Sequence, residues 1–123
     1  IKRLKGHPEI LEVYGDGKQT KPYIWIDDLV EGVMTILEKT NEPYNTYLVG
    51  VDSNVTVVQI AQIVMDEVGV HVPIHYGGRY SSWKGDVRQY KYDVSQLRLM
   101  GWTPKYSAEQ AVRKAVQVNL NNL

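Results

Sequence analysis

With 123 residues, 43% hydrophobic and 23% charged, the chain has the make-up of one folded soluble domain rather than a disordered segment. Its 14 basic residues balance 14 acidic ones, so no global field draws it to nucleic acid or an anionic membrane, and anion binding is left to local patches. Cysteine is absent, which excludes disulfide scaffolds and thiolate metal centres, and no apolar run approaches the ~20 residues that span a bilayer; a cytoplasmic location is the expectation.

In chain order, Lys2, Arg3 and Lys5 alternate with Ile1 and Leu4 before Gly6-His7-Pro8, the pattern of a helix end followed by a stop. The opening at Ile1, without a methionine, points to a piece of something longer. Ile10 to Tyr14 reads as extended, Gly15-Asp16-Gly17 as a turn that exploits glycine's freedom at positive φ, and Tyr23 to Ile26 as a second extended piece. Asp28, with Glu31 three residues on, is expected to cap a helix carrying Leu29, Val30, Val33, Met34, Ile36 and Leu37, which fades by Pro43. Tyr44 to Val49 is a short aromatic and β-branched run, expected as a strand. Thr56 and Gln59 make a capping box for a helix that ends at Gly69. Val70 to Tyr76 alternates around Pro73 and reads as an edge strand, followed by a Gly/Ser loop over 77–82. Asp93 with Gln96, and Ser107 with Gln110, cap two further helices, the first stopping at Gly101, and the tail Asn119 to Leu123 is expected to fray. Strands alternating with capped helices predict an α/β fold in a single unit, residues 1–123.

Three blocks carry a resemblance. Glu12-Val13-Tyr14-Gly15-Asp16-Gly17-Lys18-Gln19-Thr20 leads to Tyr23-Ile24 and Asp28; Trp83-Lys84-Gly85-Asp86-Val87 precedes Tyr92-Asp93-Val94-Ser95-Gln96-Leu97; and Leu99-Met100-Gly101-Trp102-Thr103-Pro104 follows. In that order they resemble the carboxyl-terminal half of extended short-chain dehydrogenase/reductases, the NAD-dependent nucleotide-sugar epimerase/dehydratase family of UDP-glucose 4-epimerase-like proteins. The resemblance implies a substrate-binding lobe with the last strand and helices of a Rossmann sheet, the amino-terminal half being absent from this sequence. Some apolar surface is then expected to lie exposed.

A pyrophosphate needs cations or N–H donors around its oxygens, and a glycine turn beside a cation can supply both. Lys21 is the first candidate. The resemblance sets it where the family usually has an arginine on the sugar-nucleotide diphosphate; lysine offers a point charge rather than a bidentate fork. By the same resemblance Tyr23 contacts the nucleotide side and Tyr14 frames the base. The alternative for the same residues is a plain β-hairpin with a solvated lysine and a half-buried tyrosine. At the second block relatives commonly show Arg-Pro-Gly-Asp, where the aspartate accepts from a ribose hydroxyl. Asp86 matches, Trp83 replaces the arginine and is able to stack on a base or sugar face, and Lys84 is able to restore the charge. A turn aspartate and a packing tryptophan are the competing roles, and Arg79 and Arg88 stand in reserve.

Several patterns are set aside. Tyr14 to Lys18 and Tyr80 to Lys84 have the Tyr-x-x-x-Lys spacing of a reductase, but one straddles two glycines and the other lies in a loop, whereas the chemistry needs both residues one turn apart on a helix. Neither is assigned as catalytic. No glycine fingerprint for a dinucleotide is present, so NAD belongs to the full-length protein and has no site in this segment. His71 and His75 lack a nearby third metal ligand, and Gly32 marks close helix packing. The expected partner is a sugar nucleotide, not nucleic acid or a membrane, with any homodimer contact in the absent half. The competing function is a non-catalytic nucleotide- or protein-binding module on the same fold.

Overall fold

The computed structural model describes residues 1–77, 87–89 and 91–122. Its elements are α1 (Lys2–Lys5), β1 (Leu11–Tyr14), β2 (Thr20–Lys21), α2 (Ile26–Lys39), β3 (Val55–Thr56), α3 (Val57–Val68), β4 (Ile74–Gly77), α4 (Ser95–Leu99) and α5 (Ala108–Asn121). The order confirms an α/β arrangement.

Two capping boxes set the helical frame. Gln59 N–H donates to Thr56 Oγ1 at 3.2 Å while Thr56 N–H donates to Gln59 Oε1 at 2.8 Å, so α3 begins where the local pattern places it. Its end is set by Gly69, at φ 73°. Ser107 and Gln110 repeat the device at α5. The two helices pack around Val51, Val55, Ile63, Ala108 and Val116, and Arg113 of α5 reaches Glu67 of α3 at 2.6 Å, with Gln117 Nε2 donating to the same carboxylate at 3.1 Å.

Strand pairing departs from the sequence reading. β1 pairs in parallel with β4, Leu11 opposite Ile74 through Tyr14 opposite Gly77, while β2 pairs antiparallel with β3. The two pieces joined by the glycine turn therefore lie in different sheets, and the hairpin alternative is overturned. The second extended piece also moves forward, to Thr20–Lys21, because Pro22 has no N–H with which to prolong a ladder. Proline delimits β4 as well: the strand begins after Pro73, whose carbonyl accepts from Leu11 N–H at 2.9 Å.

Three further expectations are corrected. Residues 44–49 form no strand, since no described strand lies alongside to take their hydrogen bonds. Helix α4 has Val94, not Asp93, at its N-cap; the Asp93 carboxylate instead accepts from Ser95 N–H at 3.0 Å. Helix α2 starts at Ile26, so Asp28 lies within its first turn and makes no capping box with Glu31. The Asp28 carboxylate is 1% exposed and accepts from the backbone N–H groups of Lys105 and Tyr106, each at 3.1 Å. One turn on, Gly32 allows α2 to close on Val49 and Trp102: a Cβ there would fall 2.7 Å from Val49 Cγ1.

The opposite side of α2 is apolar and open. Ile26, Val30, Val33 and Leu37, spaced i, i+4, i+7 and i+11, share one face and are between 43% and 67% exposed, as expected of a segment with uncovered apolar surface. No helix of the described residues is long and apolar enough to cross a membrane.

Two stability predictions follow from these contacts. Asp28→Ala leaves the part-buried N–H groups of Lys105 and Tyr106 without their acceptor and should cost about 2 kcal/mol, while Asp28→Asn, which keeps one acceptor oxygen, should cost about half as much; urea unfolding midpoints measure both. At the α3–α5 clamp, the Arg113 guanidinium and then the Gln117 amide hold the Glu67 carboxyl below its usual value of 4.5. The unfolded chain therefore takes up this proton first as pH falls, so the clamp's contribution is complete above the usual value and is lost as pH drops through the lowered folded one. Glu67→Gln should flatten the decline of Tm between about pH 5 and pH 3.

Candidate functional site

The turn between β1 and β2 is set by its glycines. Gly15 and Gly17 adopt φ of 78° and 73°, and a Cβ on Gly17 would fall 2.6 Å from Tyr76 Cε1, so both backbone angle and space require glycine there. Between them, Asp16 Oδ1 accepts from Lys18 N–H at 3.0 Å, closing the turn locally.

Two outside elements grip this turn. From α3, the N–H groups of Val57 and Val58 donate to the carbonyls of Gln19 and Gly17, each at 3.0 Å, so the first amides of the helix find their acceptors in the turn. From the other side comes the backbone of 87–88. Thr20 N–H donates to the Arg88 carbonyl at 2.9 Å, Lys21 Nζ donates to the Val87 carbonyl at 3.2 Å, and the Arg88 guanidinium meets Asp16 Oδ2 at 2.5 Å. The Lys18 N–H first, and then Arg88, hold the Asp16 carboxyl below its ordinary range, with burial opposing them. The Gln19 side chain is 1% exposed, and among the described residues its Oε1 and the buried Thr20 Oγ1 find no hydrogen-bond partner.

The residues singled out from sequence fall in different places. Lys21 ends β2, four residues after Gly17, with its ammonium against the carbonyl of Val87, the residue that follows Asp86 in the chain. Tyr14 ends β1, opposite Gly77, and is 67% exposed. Tyr23, 49% exposed, lines a mainly apolar cleft of about 400 Å³ with Trp25, Ile60, Val64, Val112 and Ala115, between the 23–26 segment, α3 and α5. Trp83, Lys84, Asp86 and Arg79 lie outside the described residues. Arg88, held in reserve by the sequence reading, is the cation that reaches the turn, and its partner Asp16 was read only as a turn residue. The charge pair carries no local signature, because 72 residues separate its members. His71 lies outside β4 and faces Asp66 at 3.8 Å, while His75 sits in β4 opposite Glu12, so the two histidines do not share a strand.

An α/β segment with a parallel β1–β4 pair is consistent with a partial Rossmann-type fold of the short-chain dehydrogenase/reductase kind, and solved structures agree. A UDP-galactose 4-epimerase crystal structure superposes with a TM-score of 0.80 at 28% identity, covering 99% of this chain and 38% of that one. Residues 1–50 match the NAD dependent epimerase/dehydratase family model. A dTDP-glucose 4,6-dehydratase of Xanthomonas campestris pv. campestris is 33% identical over 98% of this chain and 36% of its own length. UDP-glucuronic acid decarboxylase 2 of Arabidopsis thaliana is 31% identical over 85% of this chain and 22% of its own. The chain belongs to the NAD-dependent epimerase/dehydratase family of extended short-chain dehydrogenase/reductases. It spans 22% to 36% of the length of these two curated relatives.

The glycine turn leads into the strand β2, not into a helix whose N-terminus would face a pyrophosphate, and Tyr14 and Lys18 stand on opposite sides of that turn rather than on one helix face.

The packing of Tyr76 on Gly17 gives a direct test of the turn. Gly17→Ala should destabilise the chain by about 1–3 kcal/mol, and pairing it with Tyr76→Ala should recover the steric part but not the part due to positive φ; thermal unfolding of the two variants and the double mutant separates them.

Proposed function

We propose that this chain is the substrate-binding part of an NAD-dependent nucleotide-sugar epimerase or dehydratase, and that Lys21 grips the nucleotide diphosphate from the glycine turn. The reading rests chiefly on the position of Lys21 at the end of β2, just after the glycine turn, with its ammonium on the Val87 carbonyl next in the chain to Arg88. An ammonium is a compact charge with rotatable donors, suited to a flexible diphosphate even though it lacks arginine's planar fork. Tyr14, exposed at the end of β1, is available to the base, and Tyr23 to the nucleotide side. In the second block Trp83, Lys84 and Asp86 complete the proposed grip.

On this reading the chain is not catalytic by itself. The tyrosine and lysine that move the substrate proton, and the NAD that exchanges hydride, belong to a part of the full-length protein outside these 123 residues. The open apolar face of α2 supports that division, since a stripe of Ile26, Val30, Val33 and Leu37 is what a covering layer would bury. This chain orients its ligand and supplies charge to it; it does not perform the chemistry.

Calorimetric titration with UDP-glucose and dTDP-glucose tests the reading. Lys21→Ala should weaken binding about tenfold, the loss of roughly one charge-assisted contact, and NAD should give no heat. Equal affinity in Lys21→Ala and the unaltered chain would remove Lys21 from the site.

A further inference from the structure

We propose that Asp16 and Arg88 are positioning residues: their ion pair holds the 87–88 backbone in register against β2 and so aims the Lys21 ammonium. This inference deepens the diphosphate reading given above and rests on it.

Three contacts among the described residues join the same two short pieces of chain, and they differ in kind. Thr20 N–H to the Arg88 carbonyl fixes where the backbones meet, Lys21 Nζ to the Val87 carbonyl fixes the ammonium, and Arg88 to Asp16 is the side-chain bond that joins the 87–88 piece to the turn itself. The two backbone acceptors are consecutive carbonyls, so a shift at Arg88 moves both at once. On the other side, Asp16 is fixed by Lys18 N–H and flanked by two glycines at positive φ, and α3 holds the carbonyls of Gly17 and Gln19. Asp16 is thus the rigid member of the pair and the 87–88 piece is the member it locates.

The pair is partly open to solvent, its side chains 43% and 32% exposed, and such pairs add little to global stability. Its value lies in geometry. The Asp16 carboxyl, held low by its partners, keeps its charge throughout the neutral range, so the lock does not open with modest changes of pH. The opposite role for the same atoms has Asp16 occupying Arg88 until an anion displaces it, and freeing Arg88 would then tighten anion binding. The two roles predict opposite signs.

Asp16→Asn separates them, because it keeps the acceptor for Lys18 N–H and removes the charge. Amide hydrogen exchange at Thr20 and titration with UDP as the diphosphate probe are measured for the unaltered chain, Asp16→Asn, Arg88→Gln, Arg88→Lys and the double variant Asp16→Asn/Arg88→Gln. Exchange at Thr20 should accelerate about tenfold and UDP affinity should fall about fivefold in either neutral variant; the double variant should be no worse than either single one, and Arg88→Lys should retain most of both properties. Amides of α5 should be unchanged, which distinguishes a lost latch from a loosened fold. The proposal is overturned if Thr20 exchange does not change, if exchange rises while affinity stays constant, or if affinity rises. A flat titration of the unaltered chain would instead bring down the diphosphate reading, and the aiming role with it, whereas titrating wild type with an indifferent Asp16→Asn would bring down only the latch.

Discussion

The rest of the structure depends on one buried carboxylate. Asp28 sits in the first turn of α2, where the helix's positive end favours an anion, and accepts the N–H groups of Lys105 and Tyr106. Two backbone amides next to the start of α5 are thereby fixed to a helix more than 70 residues earlier, and Ser107 follows at once as the N-cap. Lys105 adds an outer link to Glu31 at 2.9 Å. Once α5 is placed it packs on α3, and the first amides of α3 hold the carbonyls of Gly17 and Gln19. The glycine turn that carries Lys21 is therefore located by a chain of contacts that begins at Asp28. A buried carboxylate bonded to two amides suits such an origin, because misplacing either amide leaves the carboxylate buried and short of a donor.

What the sequence disclosed follows how local each signal is. The capping boxes at Thr56 and Ser107 need only four consecutive residues, and both form as read. Asp28 with Glu31 has an equally good local pattern and fails, because two distant N–H groups take the same carboxylate, itself 1% exposed. The glycine turn was legible, but not the pairing around it: two extended pieces joined by a short turn resemble a hairpin whether they bond to each other or, as here, to β4 and β3. Residues 44–49 have strand composition without a described neighbour to make them one. At the candidate site Lys21 could be named from the family's motif, whereas the role of Asp16 depends on Arg88, which no periodicity connects to it.

Helix α2 shows how these facts bear on one another. Its residues 28 and 32, a carboxylate and a glycine, face inward, and its aliphatic stripe faces outward. A helix that served only this chain would be expected to have the reverse polarity, since burying leucine and valine is worth more than exposing them. The inward face has instead been given over to placing things: Asp28 fixes the approach to α5, and Gly32 lets Val49 and Trp102 approach closely. The outward face keeps the apolar area that a second layer would need. Specification of position and apolar area are thus divided between the two sides of one helix: contacts within these residues place the glycine turn and the strand β2 that ends in Lys21, while the stripe of Ile26, Val30, Val33 and Leu37 stays open.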